Sequence, residues 1–325
     1  MKKSLIALAV LASVAGVAQA QSSVSVYGVV DAVLHKDKGA PAALTSGGVS
    51  GSRLGFKGTE DLGGGLSAIF GLEAGLNIDN GQSNVTAGGG MQFNRQSYLG
   101  LAGGFGEIIA GKVWTAYDDI EAGAHQLAGA SDFAVEYAVM DSGNNYSANP
   151  NNGFKYTSPS FGAFSGAVSY SLDESAATKA NVTAFHLKYA DGPIYAGIAY
   201  QDEGDTTDIK YTRINGSYDF GAAQLLLTYG RVKESVGAAN EYSIGVNVPL
   251  SPALAVSAAY AMHKPNASYS TNPDGERKGF GIGATYMLSK RTTAYAAYTT
   301  ADTENAAGAT TAETRLYGVG IRHSF

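Results

Sequence analysis

The chain has 325 residues, of which 28 are Asp or Glu and 22 are Lys or Arg, so its formal net charge is −6. This acidic balance argues against a nucleic-acid partner, and since the chain has no cysteine, no disulfide can stabilise the fold. Mean hydropathy is −0.06 and 43 residues are glycine, which is typical of closely packed strands that alternate apolar and polar residues.

Residues 1–20 have the pattern of a secretory signal peptide. Lys2 and Lys3 precede a short apolar run, and an Ala-x-Ala motif occupies positions 18–20. We expect Sec-dependent export and cleavage after Ala20, which leaves a single domain at 21–325. The alternative is an uncleaved N-terminal anchor, but the apolar run is shorter than the ~20 residues that a membrane-spanning helix needs.

The first predicted strands alternate with period two. In 24–34, Val24 and Val26 share one face, and Tyr27 and Asp31 share the other. The next two strands, at 50–60 and 66–78, are joined by a tight glycine-rich turn.

The same alternation continues to the end of the chain and gives sixteen predicted strands. The other thirteen are at 93–102, 106–114, 153–160, 162–172, 181–190, 193–201, 208–219, 222–232, 240–250, 254–263, 277–288, 291–300 and 313–325. In the last one, "GVGIRHSF", Val319, Ile321 and Phe325 fall on one face, so the strand runs to the final residue.

Connections between the predicted strands alternate between short turns and long polar loops, such as 35–49, 79–92, 264–276 and 301–312. Short turns on one side, long loops on the other and an even strand number are typical of transmembrane β-barrels. A sheet in lipid must close on itself, which makes the terminal strand part of the wall. We therefore predict an all-β, sixteen-stranded antiparallel transmembrane barrel. A large soluble β-sandwich or propeller is the alternative, and it explains neither the loop asymmetry nor the aromatic terminus.

Several stretches resemble one family of proteins. They are "SVYGVVDA" at 25–32, "SRLGFKGTEDLGGGLSAIFGLE" at 52–73, "NRQSYLGL" at 94–101, "YTSPSFGAFSGAVSY" at 156–170 and the terminal "GIRHSF". The chain resembles the trimeric, sixteen-stranded general porins of the betaproteobacterial and neisserial type. This resemblance implies a homotrimer in the outer membrane, surrounded by lipid and lipopolysaccharide. It also implies passive diffusion of ions and small hydrophilic solutes, and a C-terminal strand ending at Phe325 that the barrel-assembly machinery recognises.

One connection, 114–152, is much longer than the others, and we call it the long loop. It contains six carboxylates and no Lys or Arg, and loops of this length are usually functional. In the family that the chain resembles, the third external loop folds into the barrel and narrows it. We therefore expect Asp118, Asp119 and Glu121 to form the acidic side of a constriction. The alternative is an ordinary solvated outer loop.

The family places arginines on the wall opposite that loop, and Arg53 and Arg95 match two of those positions. Lys57 shares the inward face with Arg53, because side chains alternate along a strand. A charge on the lipid face would cost ~2–4 kcal/mol at the membrane midplane, which favours the lumen for Arg53, Lys57 and Glu73. We expect these basic residues and the acidic loop to create a transverse field across the opening.

The sequence departs from the family at Asn149, where many members carry a third pore arginine. Lys155 lies nearby as a possible replacement for that charge. We therefore expect weaker anion selectivity than in an arginine-rich member of the family.

We expect no catalytic residue, no metal and no cofactor. The five histidines fall on separate segments without a metal-binding spacing. Two rivals to a general channel remain: a substrate-selective porin with a solute-binding constriction, and a barrel enzyme, which would need a paired acid and histidine site at the outer rim.

Overall fold

The computed structural model of the protein describes residues 23–83, 90–120, 132–174, 181–204, 208–266, 275–305 and 307–325, so the predicted signal peptide and Glu121 lie outside the described residues. Within these ranges there are eighteen strands, two short α-helices and a single 3₁₀ turn at 118–120. The first nine strands are β1 Ser23–Lys36, β2 Ala43–Ser46, β3 Arg53–Gly63, β4 Leu66–Asn77, β5 Gln82–Ser83, β6 Gln96–Gly103, β7 Gly106–Lys112, β8 Gly153–Thr157 and β9 Phe164–Ser171. The other nine are β10 Asn181–Asp191, β11 Ile194–Gly204, β12 Ile209–Asp219, β13 Gln224–Lys233, β14 Ala238–Pro249, β15 Leu254–Pro265, β16 Arg277–Met287, β17 Thr292–Glu304 and β18 Thr310–Ser324. The helices, both in the long loop, are α1 Val135–Val139 and α2 Asp141–Asn144.

Sixteen of the strands form a closed antiparallel barrel, as predicted. Each wall strand pairs with its sequence neighbours, and β1 pairs with β18 from Val29↔Ser324 to Lys36↔Tyr317. Gly28 and Phe325 exchange two backbone hydrogen bonds of 3.1 Å, which extend this pairing to the last residue. Closure joins the first and last wall strands and satisfies the backbone groups that an open edge would expose to lipid.

The two remaining strands, β2 and β5, lie in stretches that the sequence predicted as loops. β2 pairs with the second half of β1, and β5 makes only two pairs with the end of β4. With four and two residues, they are too short to show a clear alternation.

The wall has two chemically distinct faces. On β18, Tyr317, Val319 and Ile321 are exposed, as is Phe325 directly after it, whereas Gly318 on the opposite face is buried. We call the face with the exposed apolar residues outward and the other face inward. Gly28 shows why a small residue is needed on the outward face of β1, since a Cβ there would lie 2.3 Å from the ring of Phe325.

The long loop packs against inward-facing residues of the wall. Tyr117 and Ile120 join a buried cluster with residues of β9–β14, and Val135, Val139 and Met140 join another with β15 and β17. The wall residues in these clusters are mostly alanines, whose small side chains leave room for the loop: Ala167, Ala184, Ala199, Ala239, Ala259, Ala261 and Ala301. Apolar burial therefore holds the loop against this side of the barrel.

None of the helices in the described ranges is long and apolar enough to cross a membrane.

Candidate functional site

Two arginines and one glutamate form an ion cluster on the inward face. Arg53 begins β3, Arg95 immediately precedes β6, and Glu73 lies on β4 between them. Arg95 Nε lies 2.6 Å from Glu73 Oε1, and Arg53 Nε lies 4.0 Å from Glu73 Oε2. Since one carboxylate serves two guanidinium groups, the cluster keeps a net positive charge.

Neighbouring side chains fix the geometry of this cluster. The Tyr27 hydroxyl donates to Glu73 Oε2 at 3.1 Å, and Arg53 Nη2 donates to Ser50 Oγ at 3.2 Å. The Arg95 guanidinium lies 5.2 Å from the centre of the Trp114 ring, within the range of a cation–π contact. These contacts hold both arginines in defined positions rather than leaving them mobile in solvent.

A cavity of about 590 Å³ separates the arginines from the long loop. Its lining combines wall residues with residues of the loop: Val49, Ser50, Gly51, Arg53, Arg95, Trp114, Asp118, Tyr137, Gly143, Asn144, Tyr146, Ala148 and Asn149. Among the described lining residues Asp118 is the one carboxylate, and it accepts a 2.8 Å hydrogen bond from the Tyr146 hydroxyl. The structure thus brings Arg53, Arg95, Asp118 and Asn149 together around one polar space.

Lys57 lies on the same inward face but does not line this cavity. It is paired in register with Ser25 and Gly71, closer than Arg53 to the rim where the chain ends. Its Nζ lies 5.4 Å from the centre of the Tyr27 ring. Lys57 therefore extends the basic face along the barrel axis.

Arg322 is a further inward cation that the site prediction did not include. It lies on β18, opposite Asp31 of β1, and acts electrostatically on Arg53. The signal was present in the sequence, since Arg322 falls on the face opposite Phe325 in the alternation of the last strand.

Asp119 and Lys155 neutralise each other away from the cavity. Lys155 Nζ lies 2.5 Å from Asp119 Oδ1 and 3.2 Å from the carbonyl oxygen of Trp114, and Lys155 is buried. His186 Nδ1 lies 3.6 Å from the other Asp119 oxygen. This pair ties the start of the long loop to β8 and β10, so neither charge faces Arg53 and Arg95.

Asn149 lies at the other end of the long loop. Its side-chain Nδ2 donates to the backbone oxygen of Arg95 at 2.9 Å, and its own carbonyl accepts from Lys112 Nζ at 2.6 Å. Asn149 is therefore a neutral residue held directly beside the arginine cluster.

A second charged cluster holds the middle of the long loop, and the sequence analysis did not find it. Glu241 of β14 accepts the backbone N–H groups of Asp141 and Ser142 at 2.6 and 3.0 Å, and its Oε1 lies 2.7 Å from His263 Nδ1. Arg277 Nη2 lies 2.6 Å from Asp141 Oδ1. We call these four groups, Asp141, Glu241, His263 and Arg277, the anchor cluster.

The anchor cluster also contains three side chains with metal-ligand chemistry, those of Asp141, Glu241 and His263, whose ligand atoms lie within 4.8 Å of one another. Arg277 already lies against Asp141, and the Glu241 oxygens accept backbone hydrogens. This arrangement is that of a hydrogen-bonded ion network, which fixes the loop to the wall.

Arg213 supports the same part of the loop. It is buried on β12, its guanidinium lies 4.8 Å from the Tyr117 ring centre and 5.4 Å from that of Tyr146, and it donates to the Ser142 carbonyl. Burial raises the pKa of Tyr117, a long-loop residue, to about 12, and the nearby Arg213 charge only partly offsets this. Tyr117 therefore stays neutral and donates a hydrogen bond to the Ser142 carbonyl at 3.2 Å.

A closed sixteen-stranded barrel with an apolar outward face and a charged inward face defines an outer-membrane channel. The family model described as Gram-negative porin matches residues 7–306, and the chain belongs to this family. The protein is therefore an outer-membrane porin, a diffusion channel rather than an enzyme.

The porin relatives match over nearly their whole length. "Outer membrane porin protein 32" of Delftia acidovorans is 35% identical, and the match covers 91% of this chain and 88% of the relative. "Major outer membrane protein P.IB" of Neisseria lactamica is 30% identical over 100% of both chains. Among solved structures, "Anion-selective porin from Comamonas acidovorans" superposes with a TM-score of 0.77 at 26% identity, covering 94% of this chain and all of that one. OmpT of Vibrio cholerae, solved in a trimer form, shares the fold with a TM-score of 0.70 at 17% identity over 94% of this chain and 99% of that one.

Proposed function

We propose that this porin is a general diffusion channel whose constriction lies between the Arg53–Arg95 cluster and Asp118 of the long loop. The observation that carries this proposal is the shared cavity, since wall cations and a loop carboxylate line the same polar space. Charged groups across a narrow opening order small polar solutes and set which ion passes more easily.

The charge balance favours a modest preference for anions. Arg53, Arg95, Lys57 and Arg322 lie on the inward face of one side of the barrel, and two inward carboxylates, Glu73 and Asp31, offset only part of this charge. Among the described residues that line the cavity, Asp118 contributes one negative charge from the loop. Asn149 supplies no charge, and Lys155 is neutralised by Asp119, so neither adds to the preference. The relative from Comamonas acidovorans is described as anion-selective, which agrees with this sign.

We extend the proposal to assembly. A homotrimer with three separate pores is supported by the resemblance of the sequence to trimeric porins. The outward, exposed ring of Phe325 at the end of the closing strand supports its role as a signal for the barrel-assembly machinery. Glu121 lies outside the described residues, and its position on the acidic side of the constriction stays a prediction.

The test is the zero-current potential of the purified porin in a planar bilayer under a tenfold KCl gradient. We expect a potential of the anion-selective sign, and we expect Arg53→Gln/Arg95→Gln to bring it to zero or reverse it. The matched control is Lys290→Gln/Arg291→Gln, which removes two exposed cations from the turn between β16 and β17. Equal shifts in both variants would contradict the assignment of the constriction, and absence of conductance would contradict the channel.

One observation favours a second candidate, the substrate-selective porin. Trp114, Tyr137 and Tyr146 line the cavity beside the arginines, so the space offers both aromatic surfaces and cations to a solute. Such a channel would show saturable block of its ion current by one class of anion, and this block would weaken in Arg95→Gln. Linear conductance in the presence of all such anions would exclude it.

A further inference from the structure

An apolar groove lies on the outward face of the barrel, across β12–β15. It has a volume of about 690 Å³ and is lined mainly by apolar and aromatic side chains. The strand register places these side chains in two rows. Both rows lie below the rim at the opposite end of the barrel from Phe325. The upper row is Tyr229, Tyr242 and Met262, and the lower row is Leu227, Ile244 and Tyr260.

A row of polar and basic groups lies directly above the groove. Arg231 is paired in register with Asn240, and Asn240 is paired with Lys264, so the two cations flank one asparagine at the same height. Strands lie ~4.8 Å apart, which places the two backbones about 10 Å from each other. The Asn240 oxygen accepts hydrogen bonds from Arg231 at 2.9 Å and from Tyr229 at 3.0 Å, which orders this part of the row. Lys233 adds a third exposed cation one step closer to the rim.

These cations differ from others near the same rim, which have carboxylate partners. Lys210 lies 2.8 Å from Asp208, Lys278 lies 2.5 Å from Glu304, and Arg315 lies 2.6 Å from Asp302. Within the described ranges, no carboxylate lies within 4.0 Å of the side-chain nitrogens of Arg231, Lys233 or Lys264. The basic row is thus a local excess of positive charge above an apolar groove.

We propose that this surface binds lipopolysaccharide, with the phosphates of the lipid A part on Arg231 and Lys264 and an acyl chain in the groove. An amphiphile with phosphates above its acyl chains complements cations above an apolar groove. The site lies near the rim at the opposite end of the barrel from Phe325. This is the rim that carries the long loops, and in an outer-membrane barrel it faces the cell exterior. The alternative occupant is a second copy of the chain, and that copy would have to place carboxylates against this basic row. The proposal does not depend on the selectivity of the pore.

The test measures lipid A bound to the purified full-length porin in detergent by native mass spectrometry. We expect Arg231→Gln/Lys264→Gln to weaken binding of diphosphoryl lipid A about tenfold or more, since each basic residue contributes to attraction at a lipid surface. The matched control is again Lys290→Gln/Arg291→Gln, one lysine and one arginine exposed at the opposite rim, and it should change binding less than twofold. Unaltered heat-modified mobility on gels verifies that each variant is folded.

Two further probes separate the sources of binding. Dephosphorylated lipid A should bind the wild type and the double variant equally, and phosphatidylglycerol should bind the wild type more weakly than diphosphoryl lipid A. The proposal is overturned if the control loses as much binding as the double variant, or if phosphatidylglycerol binds equally well. It is also overturned if the double variant alters the oligomeric state and leaves lipid A binding unchanged, because the surface would then be an interface between copies of the chain.

Discussion

The two sides of the barrel's inner surface use charged residues in opposite ways. Near β3 and β6, Arg53 and Arg95 are only partly buried and line the polar cavity. Near β12–β16, Arg213 and Glu241 are equally inward-facing, but the long loop covers them and binds them. Charged side chains face inward on both sides. The covering loop therefore decides whether such a charge interacts with solutes in the channel or stabilises the loop against the wall.

The size of the neighbouring side chains explains why the loop covers one side. Ala239, Ala259 and Ala261 leave space above the inner surface of β14 and β15, and apolar residues of the loop fill that space. On the other side, the Tyr27 ring lies beside Lys57, and the ring of Trp114, at the start of the long loop, lies beside Arg95. Variants that exchange or cancel these charges test the comparison.

The largest effect is expected on the covered side, from Glu241→Gln. The substitution removes the carboxylate charge that accepts two backbone N–H groups of α2 and lies 2.7 Å from the buried His263 ring. Breaking a buried ion network typically costs about 3 kcal/mol or more. We expect a lower free energy of unfolding, measured by urea titration in detergent, and larger current fluctuations as the loop loosens.

The control for this variant is Glu60→Gln, on an exposed position of β3. Its free energy of unfolding should stay within about 0.5 kcal/mol of the wild type. If both variants unfold at the same urea concentration, the anchor cluster does not hold the loop.

On the open side, Asp118→Asn should sharpen the anion preference. It removes a carboxylate from the cavity lining while keeping an acceptor for the Tyr146 hydroxyl. A unit charge acting across several ångströms of water-filled space changes ion energies by roughly 0.5 kcal/mol, with opposite sign for anions and cations, so the anion-to-cation permeability ratio should rise about fivefold. The zero-current potential under a KCl gradient measures this ratio, and a fall in the ratio would contradict the acidic role of Asp118.

A smaller rise is expected from Asn149→Arg, which restores the third arginine of the resembled family. The new charge lies next to Arg95, but the substitution removes the bond from Asn149 to the Arg95 backbone oxygen, so the side chain is less well ordered. We expect the permeability ratio to rise by less than in Asp118→Asn. The control Asn149→Gln keeps the site neutral, and an identical potential in both variants would show that position 149 does not face the current.

The sequence predicted the parts of this comparison that depend on one strand at a time. Alternation placed Phe325 outward and Arg53, Lys57 and Glu73 inward, because each wall strand meets lipid on one face only. Alternation does not reveal which inward charges the loop covers. The bond between Asp141 and Glu241 joins residues 100 positions apart, and helices of five and four residues leave no recognisable periodicity. The partners of Lys155 and Arg213 were therefore visible only in the fold.

The smallest change in selectivity is expected from Asp119→Asn/Lys155→Gln. Both residues carry full charges near the long loop, and a count of sequence charges would assign each of them to the constriction. The structure pairs them at 2.5 Å beside the Trp114 carbonyl, and neither belongs to the lining of the arginine cavity. Their fields cancel at longer range, so removing both should leave the zero-current potential within a few millivolts of the wild type. Replacing a buried pair by neutral groups of similar shape is also often tolerated by the fold. A shift as large as that of Asp118→Asn would mean that the pair opens in the membrane and that Asp119 belongs to the charges that solutes encounter.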